Sequence, residues 1–318
     1  MSRVDIFVLG LVSFSLSFLL SRLFYKENIK IGSKEKTAFG GLVIFISIFF
    51  TLVISPVRAE FEVWRLFLPF ALMFILGFVD DYREFSPYLK LLSQALIVIL
   101  AIYLGIVTKI IYIHPTLNYI ITFLWLMIIL NAFNFLDILD GLATGIILII
   151  AGGFSFIGLL NFQPFNLLFA FIMFFSVLGF LPFNYRSAKA YLGDSGSLSL
   201  GMLLGMLSIS FSYAREQNPW ALFTPVVIMG LPFFDFIYVT ARRIFQGKSI
   251  FKKSPDHLAI LMQGEGMTSF SIVKKFHFIC FLFVLSALAL QFSSLLIGAM
   301  VVLVYAMFLF FYLGVKYY

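Results

Sequence analysis

The residues best suited to chemistry are acids placed where an apolar chain should have none. Asp80 and Asp81 stand side by side in GFVDDYREFSPYLK, directly after an apolar run. Adjacent carboxylates repel, and each costs about 2.5–3.5 kcal/mol at the centre of a membrane span and less at its end; a bound cation would offset that cost. NAFNFLDILDGLATG, Asn131 to Gly145, carries Asn131, Asn134, Asp137 and Asp140 at three-residue steps. On a helix each step turns about 300°, so Asn134, Asp137 and Asp140 drift around one flank by about 60° per step and line one cavity. Amide oxygens and carboxylates are the ligands Mg²⁺ takes, together with substrate phosphate oxygens. Asp194 lies between Gly193 and Ser195 in NYRSAKAYLGDSGSLSLG, where small residues let a phosphate or metal approach backbone N–H groups at a helix start. Plain structural roles compete with each reading: a solvated helix end for Asp80 and Asp81, interhelical polar contacts for the Asn131 stretch, an N-cap for Asp194.

Cations follow in ARRIFQGKSIFKKSPDHL, residues 241 to 258. QGKS imitates the end of a phosphate-binding P-loop, but that motif needs Gly five residues before Gly247, where Arg242 stands. The run suits either anionic lipid headgroups or, beside an acidic metal site, a diphosphate. His257 alone is weak evidence; His114 and His277 lie elsewhere in the expected topology.

The elements that must position these groups are membrane helices. The chain has 318 residues, 62% of them hydrophobic and 12% charged, and a mean hydropathy of +1.06; a water-soluble domain could not bury so much apolar surface. Apolar runs of span length recur without the strand alternation of a barrel. The expected fold is all-α, a polytopic helical bundle of ten or eleven spans, with residues 1–318 one transmembrane domain. Spans are expected at about 4–24, 38–55, 63–79, 89–108, 118–136, 141–160, 165–182, 196–213, 220–240, 274–291 and 293–314. The first is read as an uncleaved span, since it lacks a small-residue cleavage site and ends in basic residues. Cys280 is the single cysteine, which excludes a disulfide and a cysteine metal site.

With eleven spans, 17 of the 22 Lys and Arg residues fall on one face, which is therefore expected to be cytoplasmic, with the N-terminus outside. Topology thus explains most of the +7 net charge, and no nucleic-acid partner is needed. Seven of the eight aspartates share that same face. The positive-inside rule does not govern acids, so their clustering has a separate cause. Carboxylates for Mg²⁺, cations for phosphates and a lipid-accessible bundle suit phosphoryl transfer between a soluble nucleotide-linked donor and a lipid phosphate; hydrolysis fits the chemistry almost as well.

GFVDDYREFSPYLKLLSQ, NAFNFLDILDGLATG, YLGDSGSLSLG and LPFFDFIYVTARRIFQGKSIFKKSPDH together resemble the polyprenyl-phosphate N-acetylhexosamine-1-phosphate transferase family, glycosyltransferase family 4, over about residues 34 to 262. The RRxxxGKS loop leading to SPDH is similar to that of the bacterial initiating transferases that use UDP-GlcNAc, and less similar to that of the phospho-N-acetylmuramoyl-pentapeptide branch, whose loop carries consecutive histidines. The resemblance implies transfer of GlcNAc-1-phosphate from UDP-GlcNAc to undecaprenyl phosphate in the bacterial inner membrane, with release of UMP, Mg²⁺ (or Mn²⁺) as cofactor, a cytoplasmic active site and a homodimer.

By position in the family's motifs, Asp80 matches the base or activator of the lipid phosphate, with Asp81 beside it. Asn134 and Asp194, joined by Asp81, match metal-binding positions, and Asp137 and Asp140 match the acidic nucleotide motif. Lys90 matches a phosphate-binding lysine and Tyr191 an aromatic that stacks on uracil. Asn184 falls where a nucleotide contact is implied, and Arg242, Arg243, Lys248 and His257 where phosphates are held. The chain departs from the pattern in two places: the family's histidine cluster survives only as His257, and KTAFGG lacks the proline that usually precedes its paired glycines, leaving Lys34 or Lys36 to reach the nucleotide. The competing readings are the same chemistry on another UDP-amino sugar or UDP-MurNAc-pentapeptide, an ion-coupled transporter, whose acids would sit near the bilayer midplane in repeated broken helices, and an inactive scaffold.

Overall fold

The computed structural model describes residues 1–27, 39–185, 190–213, 218–248 and 257–291. Every regular element among them is a helix, and the protein is an all-α, multi-pass membrane bundle. The expected span at 293–314, Lys34 and Lys36 lie outside the described residues. The chain divides into two compact units, Met1–Phe211 and Ser212–Tyr318.

Among its described residues the first unit has eight helices: α1 (Arg3–Lys26), α2 (Gly40–Ile54), α3 (Phe61–Tyr82), α4 (Pro87–Tyr103), α5 (Pro115–Leu136), α6 (Leu142–Leu160), α7 (Pro164–Asn184) and α8 (Gly193–Ser210). Local chemistry sets several starts. Ser2 caps α1 in a reciprocal box with Asp5. Ser86 caps α4 through the Leu89 N–H, with Pro87 at the first helical position, where its missing N–H costs nothing. That start fixes Lys90 one turn into α4.

Five helices, α1, α3, α5, α6 and α7, are long and apolar enough to cross a membrane, whereas α2 and α4 are shorter. α8 is the most enclosed: every residue from Ser195 to Ser208 is buried. Its glycines and serines suit this place, because small residues let neighbouring backbones approach closely where lipid offers no hydrophobic drive. Around α8 pack α2, α3, α5, α6 and α7, while α1 packs along α7 and α4 lies against α3 and α5. α3 and α5 end, and α4 and α8 begin, at one end of this unit, as the hydrogen bonds described below require.

In the second unit a 3₁₀ turn (Pro219–Phe223) leads into α9 (Thr224–Ile228), α10 (Gly230–Phe245), α11 (Leu258–Gly264) and α12 (Ser269–Ala289), the last again of spanning length. The single span expected at 220–240 is instead a broken pair, bent by 62° between Ile228 and Gly230. The cause is local: Pro232 has no N–H to give the Ile228 carbonyl, so the helical ladder fails beside Gly230.

Candidate active site

The apolar stretch before Asp80 carries α3 on through Tyr82, so both acids occupy its last turn, where carboxylates oppose the helix dipole. Their partners come from other helices. Lys90 Nζ of α4 lies 2.7 Å from Asp80 Oδ2 and 2.8 Å from Asp194 Oδ2, bridging α3 to α8. Asp80 Oδ1 accepts the Phe85 N–H at 2.8 Å, closing the tight link between α3 and α4. Asn134, in the last turn of α5, donates from Nδ2 to Asp194 Oδ1 at 3.0 Å and to Ser197 Oγ at 3.1 Å. Four helices thus converge on Asp194.

Asp81 is used differently. Its Oδ1 accepts the backbone N–H of Asp194 at 2.9 Å and its Oδ2 that of Ser195 at 3.0 Å. The α8 start that was expected to receive a phosphate or metal on its N–H groups is therefore already held by a carboxylate, the charge a helix N-terminus favours. Nor does Asp194 cap its own helix; the cap arrives from α3. Two glycines make the approach possible. Gly193 has φ +76°, and a Cβ there would stand 2.8 Å from Asp81 Oδ2; a Cβ on Gly77 would collide with the Asp194 backbone. Ser197 and Gly77 are site residues that carry no charge to mark them; Ser197 lies in the small-residue run after Asp194, and Gly77 opens GFVDDYREFSPYLK.

One further expectation is corrected, and the other site residues are placed. α5 ends at Leu136, so Asp137 and Asp140 do not continue a helical flank with Asn134; they lie in the turn that a left-handed Gly141 (φ +77°) closes before α6. Asn184 is 2% exposed. Its Oδ1 accepts from the Gly141 N–H at 3.2 Å and Thr144 Oγ1 at 2.6 Å, and its Nδ2 donates to the Ala190 carbonyl at 2.9 Å. It pins α6 to the end of α7, and its side-chain oxygen and nitrogen are both engaged within the protein. In the second unit, Arg242 and Arg243 close α10, but one residue on a helix turns the side chain by about 100°. Arg242 donates to Tyr238 Oη at 3.0 Å, Arg243 is buried and Lys248 is exposed, so the three cations differ in surroundings. His257 is buried at the start of α11. Tyr191 is half-buried, and its carbonyl accepts the Gly40 N–H at 3.0 Å, which ties the α8 approach to α2.

The sequence profile of glycosyl transferase family 4 matches residues 63–212, the stretch that contains the whole Asp80–Lys90–Asp194 cluster. An undecaprenyl-phosphate alpha-N-acetylglucosaminyl 1-phosphate transferase of Thermotoga maritima is 32% identical over 267 residues, covering 78% of this chain and 81% of that protein. The chain belongs to glycosyl transferase family 4. Two other similar proteins are a probable undecaprenyl-phosphate N-acetylglucosaminyl 1-phosphate transferase of Bacillus subtilis, 27% identical over 89% of this chain and 81% of that protein, and a phospho-N-acetylmuramoyl-pentapeptide-transferase of Staphylococcus saprophyticus, 33% identical over 69% and 74%.

The donor chemistry of the cluster fits a divalent cation. Asp80 and Asp194 share one ammonium, Lys90, while Asp81 spends both oxygens on the backbone N–H groups at the start of α8. Among the described residues no three acids, histidines or cysteines form a metal cage by themselves; Asp194 and the Asn134 amide are hard oxygen donors of the kind Mg²⁺ takes when phosphate oxygens and water complete its shell.

Proposed function

We propose that this protein is a Mg²⁺-dependent transferase that moves GlcNAc-1-phosphate from UDP-GlcNAc to undecaprenyl phosphate, giving undecaprenyl-diphospho-GlcNAc and UMP. The observation that carries the reading is the bridge of Lys90 between Asp80 and Asp194, inside the segment matched by the family profile. The names of the Thermotoga and Bacillus relatives support the lipid and the sugar. The clustering of basic residues supports a cytoplasmic site and an outside N-terminus, in a bacterial plasma membrane. A homodimer and the alternative metal Mn²⁺ rest on the resemblance alone.

In this reading a phosphate oxygen of the lipid bonds to the sugar-bearing phosphorus, the bond from that phosphorus to the bridging oxygen breaks, and UMP leaves with the electron pair. Asp80 takes the proton when the lipid phosphate arrives protonated. Lys90, released in part from its two carboxylates, meets negative phosphate oxygens. Asn134 fixes the direction of Asp194, and Asp81 fixes the start of α8 that carries it. Asp194 and Asn134 would hold Mg²⁺, which when bound would neutralise charge on the diphosphate. Arg242 and Lys248 enter only as cations for phosphate, through the motif they match.

The test is UMP release by detergent-purified protein supplied with undecaprenyl phosphate, Mg²⁺ and UDP-GlcNAc. Release that requires the lipid, stops with a chelator and returns with Mg²⁺ is the expected result. The Staphylococcus relative gives a second donor reason to be tried: turnover of UDP-MurNAc-pentapeptide without turnover of UDP-GlcNAc would reassign the substrate. Uptake of a solute by proteoliposomes without any UMP would replace the enzyme with a transporter.

A further inference from the structure

Asn131 opens the polar stretch of α5 and takes no part in the contacts around Asp194. It donates from Nδ2 to Gln94 Oε1 of α4 at 3.0 Å and to the Met127 carbonyl of its own helix at 2.8 Å. Gln94 is fully buried, and among the described residues its Nε2 has no hydrogen-bond partner. A buried amide with a donor left over is a poor choice for packing alone, since an apolar side chain of the same size would avoid that loss.

The placement of α4 shows what the pair is for. Among the described residues α4 lies chiefly against α3 and α5, and Tyr88, Leu89, Leu92, Leu96, Ile99 and Tyr103 are exposed. Its buried strip is narrow, consisting of Gln94, Val98 and Ala101. Gln94 is the member of that strip nearest Lys90, one helical turn away and on the same face. Asn131 stands in the same relation to Asn134 on α5. The Gln94–Asn131 bond therefore joins the two helices directly beneath the level at which Lys90 and Asn134 both reach Asp194.

We infer that Gln94 and Asn131 are positioning residues for Lys90: their hydrogen bond fixes the rotation and height of α4 against α5, and so holds the Lys90 ammonium between Asp80 and Asp194. An apolar contact such as that of Val98 resists separation of the helices but not sliding or rotation, whereas a directed bond resists both. The consequence for turnover rests on the transferase reading above; the placement of Lys90 does not.

The experiment uses the full chain in detergent. Lys90 and the exposed Lys109 are labelled with an amine-reactive ester, and the rates are read by peptide mass spectrometry in wild type, Gln94→Met, Asn131→Met, the double variant and Val98→Ala. Labelling of Lys90 is expected to rise several-fold relative to Lys109 in Gln94→Met, and no further in the double variant, with the thermal midpoint of Gln94→Met close to wild type. In the UMP assay the same variant should lose about tenfold in kcat with KM for UDP-GlcNAc unchanged, the split expected when a charge acting in the transition state is displaced. Unchanged Lys90 labelling in Gln94→Met and Asn131→Met, or an equal rise in Val98→Ala, overturns the inference. Absence of UMP from wild type would count against the transferase reading, and the labelling comparison would still decide this one.

Discussion

Asp194 and Asp235 make an instructive pair. Both sit on helices of an apolar chain beside small or apolar neighbours, and each belongs to one of the motifs that drew attention to the chain. Asp194, near the start of α8, receives Lys90 and Asn134 side chains, and its backbone N–H is held by Asp81. Asp235, on α10 just past the broken span, is 6% exposed, and among the described residues no hydrogen bond or ion pair reaches it. The difference teaches that an acid within a membrane helix marks a site only when its partners are present. What distinguishes Asp194 is the convergence of three other helices.

Breaking that convergence should produce the largest effect. Asp80→Asn and Asp194→Asn are each expected to lower kcat by about 10³-fold or more, as loss of a charge acting on the reacting phosphates would, while the protein still purifies folded; near-normal UMP release from either variant would remove its role. Asp81→Asn comes next and should look different. An amide can accept from one N–H of α8 but not both, so the helix start is displaced, and a loss of about 10²-fold in kcat should be accompanied by a lower thermal midpoint. If Asp81→Asn kills turnover with full stability, Asp81 acts on substrate directly rather than through α8.

Asn184→Ala should invert this pattern. It removes three buried hydrogen bonds and is expected to cost about 1–3 kcal/mol of stability, with KM for UDP-GlcNAc within twofold of wild type. A large rise in KM at unchanged stability would support the nucleotide contact. The smallest effect belongs to Asp235→Asn: taking an unpartnered charge out of a buried position should raise the thermal midpoint, by about 2 °C or more for a change on the order of 1 kcal/mol. A fall would mean that the carboxylate finds a partner in the membrane-embedded protein.

The sequence made the four-helix meeting point legible because its signals were redundant. Asp80, Lys90, Asn134 and Asp194 are costly in an apolar chain, and each lies in a motif too polar to be a span interior. Helical phase misled at Asp137 and Asp140, because three-residue spacing looks the same whether the helix continues or ends at Leu136, and only the left-handed Gly141 decides. Asn184 was only half legible: a polar residue at the end of a span does not announce that Thr144 and Ala190, distant or across a turn, use its side chain. The broken span was readable in principle from Gly230 and Pro232, but apolar run length alone joined its halves.

Asp81 is separated from Ser195 by 114 residues of chain, and Lys90 from Asp194 by 104. During synthesis the first seven helices are made and delivered to the membrane before the eighth exists. Until α8 arrives, Asp81 has no helix start to hold, and Lys90 has only Asp80. Assembly of the acidic centre therefore waits for the last helix of the first unit, and a chain interrupted before residue 193 carries Asp80 and Asp81 without the Asp194 on which the helices converge.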